Sequence, residues 1–164
     1  MIIRINMKNY KRFNPINQSY RRMTNLSNIY SINNIKININ QDKPILKSLA
    51  TQKNITHTGV ISGGWLIDKM DIAGGIHAWD ITNGCIYTIA CDKLQFHKSV
   101  HTGDLVSFYT KLTKTKTTSL QIYVEAIIRQ PPEIETYTVS TGMFTYVAVD
   151  KNGKPRNYKK KIIP

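Results

Sequence analysis

One carboxylate stands out in the segment "GGWLIDKMDIAGGIHAWD" (residues 63–80), because Asp71 lies between two apolar neighbours and has a glycine pair on each side. The pairs are Gly63-Gly64 before it and Gly74-Gly75 after it. A carboxylate in apolar surroundings can accept a proton from water and so act as a general base. The alternative is a surface aspartate paired with a lysine, and the residue types alone leave both interpretations open.

The histidines and cysteines show no pattern typical of a metal site. No histidine pair has the i, i+4 spacing on the predicted helix, and His97 and His101 fall at a strand end, where that spacing does not converge. Cys85 and Cys91 lie six residues apart, with no CxxC and no histidine at a zinc-ligand spacing. We therefore predict no metal site and two free thiols, which fits a reducing compartment.

The segment that carries Asp71 is predicted to form a helix that ends at Asn83-Gly84, a typical helix terminus. Gly74 and Gly75 inside it each cost about 1 kcal/mol relative to alanine, so tight packing or a close backbone approach must compensate. The apolar residues close to helical spacing form one predicted stripe: Trp65, Leu66, Met70, Ala73, Ile76 and Ala78.

Five stretches predict strands, of which 44–51 is short and the later alternating ones are long and antiparallel, with short connections and one helix left to cover the whole sheet. The clearest is 117–129, in which Leu120, Ile122, Val124, Ala126 and Ile128 alternate on one face. The other four stretches are 44–51, 85–96, 104–114 and 136–150. Alternation also predicts shared faces in two of these, for Val106, Phe108 and Leu112 and for Val139, Met143, Val147 and Val149.

The chain has 164 residues and a net charge of +13, which fits one domain with a tail. No run of about 18 apolar residues occurs, so we expect a soluble protein without a membrane span. Residues 1–43 hold eight Lys/Arg against one acid and show no helical or strand period, which predicts a disordered basic extension. A domain over 44–157 and a basic tail over 158–164 complete the predicted organisation.

Three interpretations of the basic extension stay open. It is an unselected polar segment from AT-rich coding bias, an organelle presequence, or a basic arm that holds nucleic acid by phosphate contacts. Arginine, lysine and serine without an acid before Asp42 fit a presequence. Aromatic residues interleaved with the charge fit a nucleic-acid arm, although coding bias also enriches tyrosine.

Four motifs resemble, in order and spacing, the bacterial YciA-type acyl-CoA thioesterases. They are "GVISGGWLIDKMDIAGG", "FHKSVHTGDLV", "TKTTSLQIYVEA" and "FTYVAVDKNGKPR", and the resemblance runs from about Ile45 to Arg156. It implies an α+β hotdog fold, a curved antiparallel sheet wrapped around one central long helix. It also implies hydrolysis of acyl-CoA to free fatty acid and CoA by Asp-assisted attack of water, with no cofactor apart from the coenzyme A of the substrate.

The resemblance implies roles for individual residues. Asp71 would be the base, and the N–H groups of Gly63 and Gly64 at the helix start would stabilise the oxyanion. The family pattern in the preceding loop is Asn-His-x-Gly-x-x-Phe-Gly-Gly, so His57 matches a binding position. Thr56 replaces the asparagine and Ser62 replaces the phenylalanine. A threonine hydroxyl cannot supply the paired donor and acceptor of an amide.

Coenzyme A carries phosphate charges, so a thioesterase of this type needs cations near its groove. The candidates in or beside the motifs are Lys98, Lys116, Lys154 and Arg156. The resemblance further implies a dimer within a hexamer, and we expect the exposed strand "TTSLQIYVEA" to be paired at a subunit edge. No nucleic-acid partner is expected. The predicted location is the cytoplasm, or an organelle matrix if residues 1–43 are a presequence.

Two other functions stay open from the sequence. A non-catalytic hotdog protein that binds acyl groups follows from the departures at Thr56 and Ser62. A nucleic-acid binder follows from the basic extension and would show a steep, salt-dependent affinity that vanishes without residues 1–43.

Overall fold

One long helix and five strands follow one another in the computed structural model, which describes residues 35, 37–39, 42–129 and 135–159. Their order and bounds are β1 (Leu46–Leu49), α1 (Gly63–Thr82), β2 (Ile86–Phe96), β3 (Leu105–Thr115), β4 (Ser119–Arg129) and β5 (Thr136–Ala148). Within these described residues, the predicted five strands and one long helix are confirmed. The proposed extension over 1–43 and the tail over 158–164 lie mostly outside the described residues.

The strands form a single antiparallel sheet in the order β1-β3-β4-β5-β2. Strands β3, β4 and β5 are neighbours, as the short connections predicted. Helix α1 contacts all five strands and carries the chain from one edge, β1, to the other edge, β2. In this strand order, β4 lies at the centre of the sheet. The prediction that β4 is an exposed edge strand is therefore wrong. The long strand at an edge is β2.

In β4, every second residue faces α1 along the whole strand. In β5, the residues that face α1 change from odd-numbered to even-numbered positions partway along the strand. All five predicted residues of β4, Leu120 to Ile128, are buried. In β5 the pairing shifts by one residue, since Ala126 pairs with Ser140 and Ile127 pairs with Thr138. Val139 therefore joins the core before the shift, and Phe144 and Tyr146 join it afterwards. The prediction that Met143 and Val147 share the face of Val139 is wrong.

A second irregularity affects the pattern predicted for β3. Val106 and Phe108 are fully buried, but Leu112 is 37% exposed. The register between β3 and β4 shifts between Leu112 and Lys114. Leu112 therefore does not continue the buried face.

Helix α1 begins after Ser62 and ends at Asn83, which takes the left-handed conformation with φ 49°. The predicted terminus is confirmed, and asparagine is one of the few residues that tolerate this conformation. The buried residues of the helix include Leu66, Met70, Ala73 and Ala78. Ile76, which was predicted to lie in the same stripe, is 38% exposed. Within the described residues, α1 falls short of the apolar character that a membrane-crossing helix requires.

The close backbone approach expected at the second glycine pair occurs at Gly74. A Cβ added there would stand 2.2 Å from the Tyr146 hydroxyl oxygen and 3.0 Å from its Cζ atom. At Gly75 the nearest atom would be 3.8 Å away, which is ordinary van der Waals contact. Only Gly74 is therefore required by packing, because it lets the tyrosine of β5 reach the helix.

Candidate active site

Asp71 projects from α1 towards β2 and β5, where two hydroxyl groups meet its carboxylate. Its Oδ1 atom accepts a hydrogen bond of 2.8 Å from Thr88 Oγ1 and one of 3.3 Å from the Tyr146 hydroxyl. The Tyr146 hydroxyl also donates to the main-chain carbonyl of Asp71 at 3.0 Å. Lys69, the adjacent lysine, contacts Asp68 instead at 2.9 Å. Asp71 is thus a half-buried carboxylate with hydroxyl partners, and no lysine in the described part of the chain pairs with it, which argues against a lysine-paired surface aspartate.

The groups around Asp71 are held in their protonated forms. Burial raises the pKa of the Tyr146 phenol, and the Asp71 carboxylate raises it further. Burial also raises the pKa of the Cys91 thiol, with smaller contributions from Asp92 and Asp71. A protonated phenol is a hydrogen-bond donor, which agrees with the hydrogen bonds that Tyr146 donates to Asp71.

The N-terminus of α1 supplies one open N–H group where two were predicted. Ser62 is the N-cap, and its hydroxyl oxygen accepts a hydrogen bond of 3.1 Å from the N–H of Gly64. The proposed oxyanion role of Gly64 therefore conflicts with the structure, because its N–H is already used. The N–H of Gly63 donates no hydrogen bond to any of the described residues. The Phe96 ring lies beside it, 3.2 Å from the position that a Cβ of Gly63 would take.

Asp71 and Gly63 are separated along the helix. Eight residues at a rise of about 1.5 Å each place them about 12 Å apart along the axis. A thioester carbonyl and its attacking water are only about 3 Å apart, so one subunit cannot present both groups to one substrate. The structure does not bring the predicted base and the predicted oxyanion donor together within a single chain.

Thr56 closes a tight turn in the loop before α1. Its N–H donates to the carbonyl of Val60 at 2.7 Å, and its hydroxyl donates to the same carbonyl at 2.9 Å. The Thr58 hydroxyl lies 2.8 Å from that of Thr56. Threonine at this position therefore stabilises the loop, while the adjacent His57 is exposed at the turn.

The predicted cations lie at two different ends of the sheet. Lys98 follows β2 near the start of α1, and its ammonium group lies 3.3 Å from the centre of the Tyr137 ring. Burial lowers the pKa of Lys98, and Glu135 partly opposes this effect. Lys116 lies at the opposite end, in the turn between β3 and β4, where it lines a pocket of about 140 Å³ with Lys114.

Arg156 belongs to that second end and has structural partners. Its Nη2 donates to the carbonyl of Thr82 at 2.9 Å, and its Nε donates to the carbonyl of Val149 at 3.0 Å. A cation at this position interacts favourably with the negative, C-terminal end of the dipole of α1. Lys154 lies in the preceding turn, where its N–H donates to the Asp150 carboxylate at 2.9 Å. A contact of Arg156 or Lys154 with coenzyme A stays a prediction.

Sequence reasoning missed Tyr146, Thr88 and Ser62. Ser62 had a local signal, since serine before a helical pattern is a typical N-cap. Tyr146 and Thr88 had none, because each reaches Asp71 only through the folded sheet, from 75 and 17 residues away in the sequence.

Known proteins share this fold and these motifs. The profile of the thioesterase superfamily matches residues 58–135. The acyl-CoA thioester hydrolase YciA of Salmonella typhimurium is 36% identical over 122 residues, which cover 73% of this chain and 92% of that protein. A hexameric thioesterase from Yersinia pestis is 37% identical with a TM-score of 0.68, over 71% of this chain and 95% of that one.

A hexameric broad-specificity acyl-coenzyme A thioesterase, solved as a variant with one aspartate replaced by alanine, has a TM-score of 0.71 to this chain. It is 32% identical to this chain, and the match covers 74% of this chain and 90% of that one. A curved antiparallel sheet around one long helix, together with these matches, identifies the chain as a hotdog-fold thioesterase. The chain belongs to the YciA-type acyl-CoA thioester hydrolases of this superfamily.

Proposed function

We propose that the protein hydrolyses acyl-CoA thioesters to a free carboxylic acid and coenzyme A. The observation that carries this proposal is the half-buried Asp71 carboxylate on α1, whose side-chain partners among the described residues are hydroxyl groups. Among the described residues, both hydrogen bonds fall on Oδ1, which leaves Oδ2 as the oxygen that can accept a proton from water.

The reaction follows from these groups. Oδ2 of Asp71 accepts a proton as the water oxygen adds to the thioester carbonyl carbon, and the carbonyl oxygen becomes an oxyanion. The N–H of Gly63 is the donor for that oxyanion. Collapse of the tetrahedral intermediate breaks the carbon–sulfur bond, and the departing thiolate receives the proton from Asp71.

We propose that each site is built from two subunits. Since about 12 Å separates Gly63 from Asp71 along one helix, the oxyanion donor must come from a neighbouring chain. Thr56 and His57 lie in the loop before Gly63, so they would approach the substrate from the same side as that donor. In this arrangement, the loop of one subunit would bind the substrate that lies against Asp71 of the neighbouring subunit.

The edge strand β2 and the adjacent side of α1 form the surface for this assembly. Apolar side chains are exposed on both, including Trp79 at 52% and Ile89 at 60%. Ile72 and Ile76 extend the same stripe of the helix. An exposed edge beside apolar residues is typical of a surface that a second copy covers. A dimer across β2 is therefore the minimal unit, and the similar solved structures are hexameric.

Substitution of Trp79 tests the assembly. Trp79→Lys should shift the protein to monomers in light scattering at micromolar concentration, because it places a charge in an apolar interface. Leu49→Lys is the matched control, since Leu49 is 56% exposed on the other edge strand. A monomeric parent protein, or an equal effect of both variants, would contradict the proposed interface.

A panel of short, medium and long acyl-CoAs with thiol detection tests the activity. The expected result is turnover of at least one chain length, and Asp71→Asn should lower kcat by about 100-fold or more because the base is lost. The variant should fold normally, since an amide oxygen can still accept from Thr88 and Tyr146. Binding of acyl-CoA without any turnover would instead select the non-catalytic acyl-binding protein.

The cellular location is proposed from composition alone. Cys85 and Cys91 are free thiols, which fits the cytoplasm. An organelle matrix is the alternative, and it depends on residues 1–43 acting as a presequence. Import of a reporter fused to residues 1–43 would select the matrix, and retention of that reporter in the cytoplasm would select the cytoplasm.

A further inference from the structure

The hydroxyl of Tyr146 is fixed in place by its surroundings. The side chain is fully buried, its ring stacks on Phe144 with centroids 6.4 Å apart, and its strand β5 is paired on both sides. Its hydroxyl sits against the backbone at Gly74, in space that any other residue there would fill. A phenol this constrained cannot follow a moving carboxylate, so Asp71 must adapt to it.

The hydroxyl of Thr88 reaches the same carboxylate oxygen from the neighbouring strand. Thr88 and Tyr146 are directly paired in the register of β2 and β5. Two cross-strand neighbours therefore donate to Oδ1 of Asp71, while Tyr146 also holds the main-chain carbonyl of that residue. The aspartate is held at its backbone and at one carboxylate oxygen.

We propose that Tyr146 and Thr88 are positioning residues that clamp Oδ1 of Asp71 and thereby direct Oδ2 at the attacking water. Neither hydroxyl touches the reacting atoms. Their effect is to restrict rotation of the carboxylate, and a small misplacement of a catalytic group lowers the rate steeply. This inference rests on the proposed thioesterase activity.

The first test is Tyr146→Phe, which removes one oxygen and keeps the ring. We expect kcat to fall by about tenfold with KM changed less than twofold, because orientation of the base and not substrate binding is affected. An unchanged kcat, or equal changes in kcat and KM, would overturn the role of Tyr146.

Tyr123→Phe is the matched control. Tyr123 is also buried in this sheet and its hydroxyl also donates to a carboxylate, Glu125, at 3.2 Å, but on the opposite face. This variant should keep the parent's kcat and KM. An equal loss in both variants would show a general effect on the fold and would overturn the proposal.

Thr88 provides a second variant pair that does not disturb the core. Thr88→Val removes the hydroxyl at nearly constant shape and should lower kcat. Thr88→Ser keeps the hydroxyl donor and should keep kcat close to that of the parent. Equal rates in these two variants would overturn the role of Thr88, even if Tyr146→Phe failed to fold.

A crystal structure of Tyr146→Phe measures the clamp without turnover. The Asp71 carboxylate should lose its parent orientation in Tyr146→Phe and keep it in Tyr123→Phe. A parent protein that hydrolyses no acyl-CoA but shows this difference would refute the proposed function and leave the clamp intact. An identical carboxylate orientation in the parent and in Tyr146→Phe would refute the role of Tyr146 in the clamp.

Discussion

Gly63 is the first helical residue after the Ser62 cap, which makes its N–H group removable without damage to the helix. Proline is favoured at this position, and the extended conformation of Ser62 (φ −60°, ψ 135°) is the one that a following proline requires. Gly63→Pro should therefore keep the melting temperature and lower kcat by about 100-fold, the usual effect of losing one oxyanion donor. The exposed Phe96 ring must shift slightly to admit the proline ring.

Gly64→Ala is a suitable control for that change, because it adds a methyl group and leaves the N–H bound to Ser62 in place. It should keep kcat within a few-fold of the parent. Full activity in Gly63→Pro would show that another group stabilises the oxyanion.

The second glycine pair separates a required glycine from an unnecessary one. Gly74→Ala places a methyl group 2.2 Å from the Tyr146 hydroxyl and should lower stability by about 1–3 kcal/mol through overpacking. Gly75→Ala meets nothing closer than 3.8 Å and should raise stability by about 0.5–1 kcal/mol, since alanine favours the helix. Thermal melts of the two variants provide the comparison, and equal effects would contradict the packing described at Gly74.

At this scale, the candidate base is easier to predict than the residues that hold it. Asp71 is predicted as the base from the motif resemblance, because an acid among apolar neighbours of one helix also fits a surface aspartate paired with a lysine. Tyr146 reads as an ordinary core aromatic in a strand, and only the approach of β5 to Gly74 gives its hydroxyl a partner. The hydrogen bond from the Gly64 N–H to Ser62 follows from serine as an N-cap, a signal that the alignment of Ser62 with the family's phenylalanine does not contain.

At the scale of elements, the edge strand β2 contains a strained residue at an irregularity. The pairing of β2 with β5 shifts between Asp92 and Gln95, and Lys93 in this interval has a φ of 52°. A non-glycine residue in this region is strained by about 1–2 kcal/mol, whereas glycine adopts it freely but loses more entropy on folding. Lys93→Gly should therefore raise stability by a few tenths to about 1 kcal/mol.

Chemical denaturation of Lys93→Gly measures this gain, with Lys93→Ala as the control that removes the side chain and keeps the strain. Equal stability of the two variants would contradict a strained backbone at this position.

The elements were predictable from the sequence because each has its own local period. Their arrangement in the sheet was not predictable. Strict alternation located β4 and its buried face, but nothing in that stretch indicates that β3 and β5 flank it on both sides. The same alternation failed in β5, because the extra residue at Val139 moves the core from one parity to the other. A bulge of this kind depends on the partner strand and leaves no periodic signal of its own.

At the scale of the whole molecule, two histidines link stability to pH. Burial lowers the pKa of His77 and of His97 below 6.5, with Asp80 and Glu125 as partial opposing effects. The unfolded chain therefore binds protons more readily than the folded one just below pH 6.5, so stability falls as the pH decreases through this range. The melting temperature should be lower at pH 5.5 than at pH 7.5, at one fixed protein concentration.

His97→Gln tests the source of this slope, because an amide can keep the hydrogen bond to Thr141 without titrating. The variant should show a smaller change between the two pH values. A slope equal to that of the parent would assign the effect to other groups.

The separation of Gly63 from Asp71 along α1 means that two inactive chains can complement each other. In a hybrid dimer of Asp71→Asn and Gly63→Pro subunits, one site combines both defects, and the other combines the intact aspartate of one chain with the intact N–H of its neighbour. With random exchange of subunits, about one site in four is then active, although each parent variant alone is nearly inactive. Co-expression of the two chains should recover turnover, as intragenic complementation does between alleles. No recovery in demonstrably mixed dimers would place both groups in one subunit's own site.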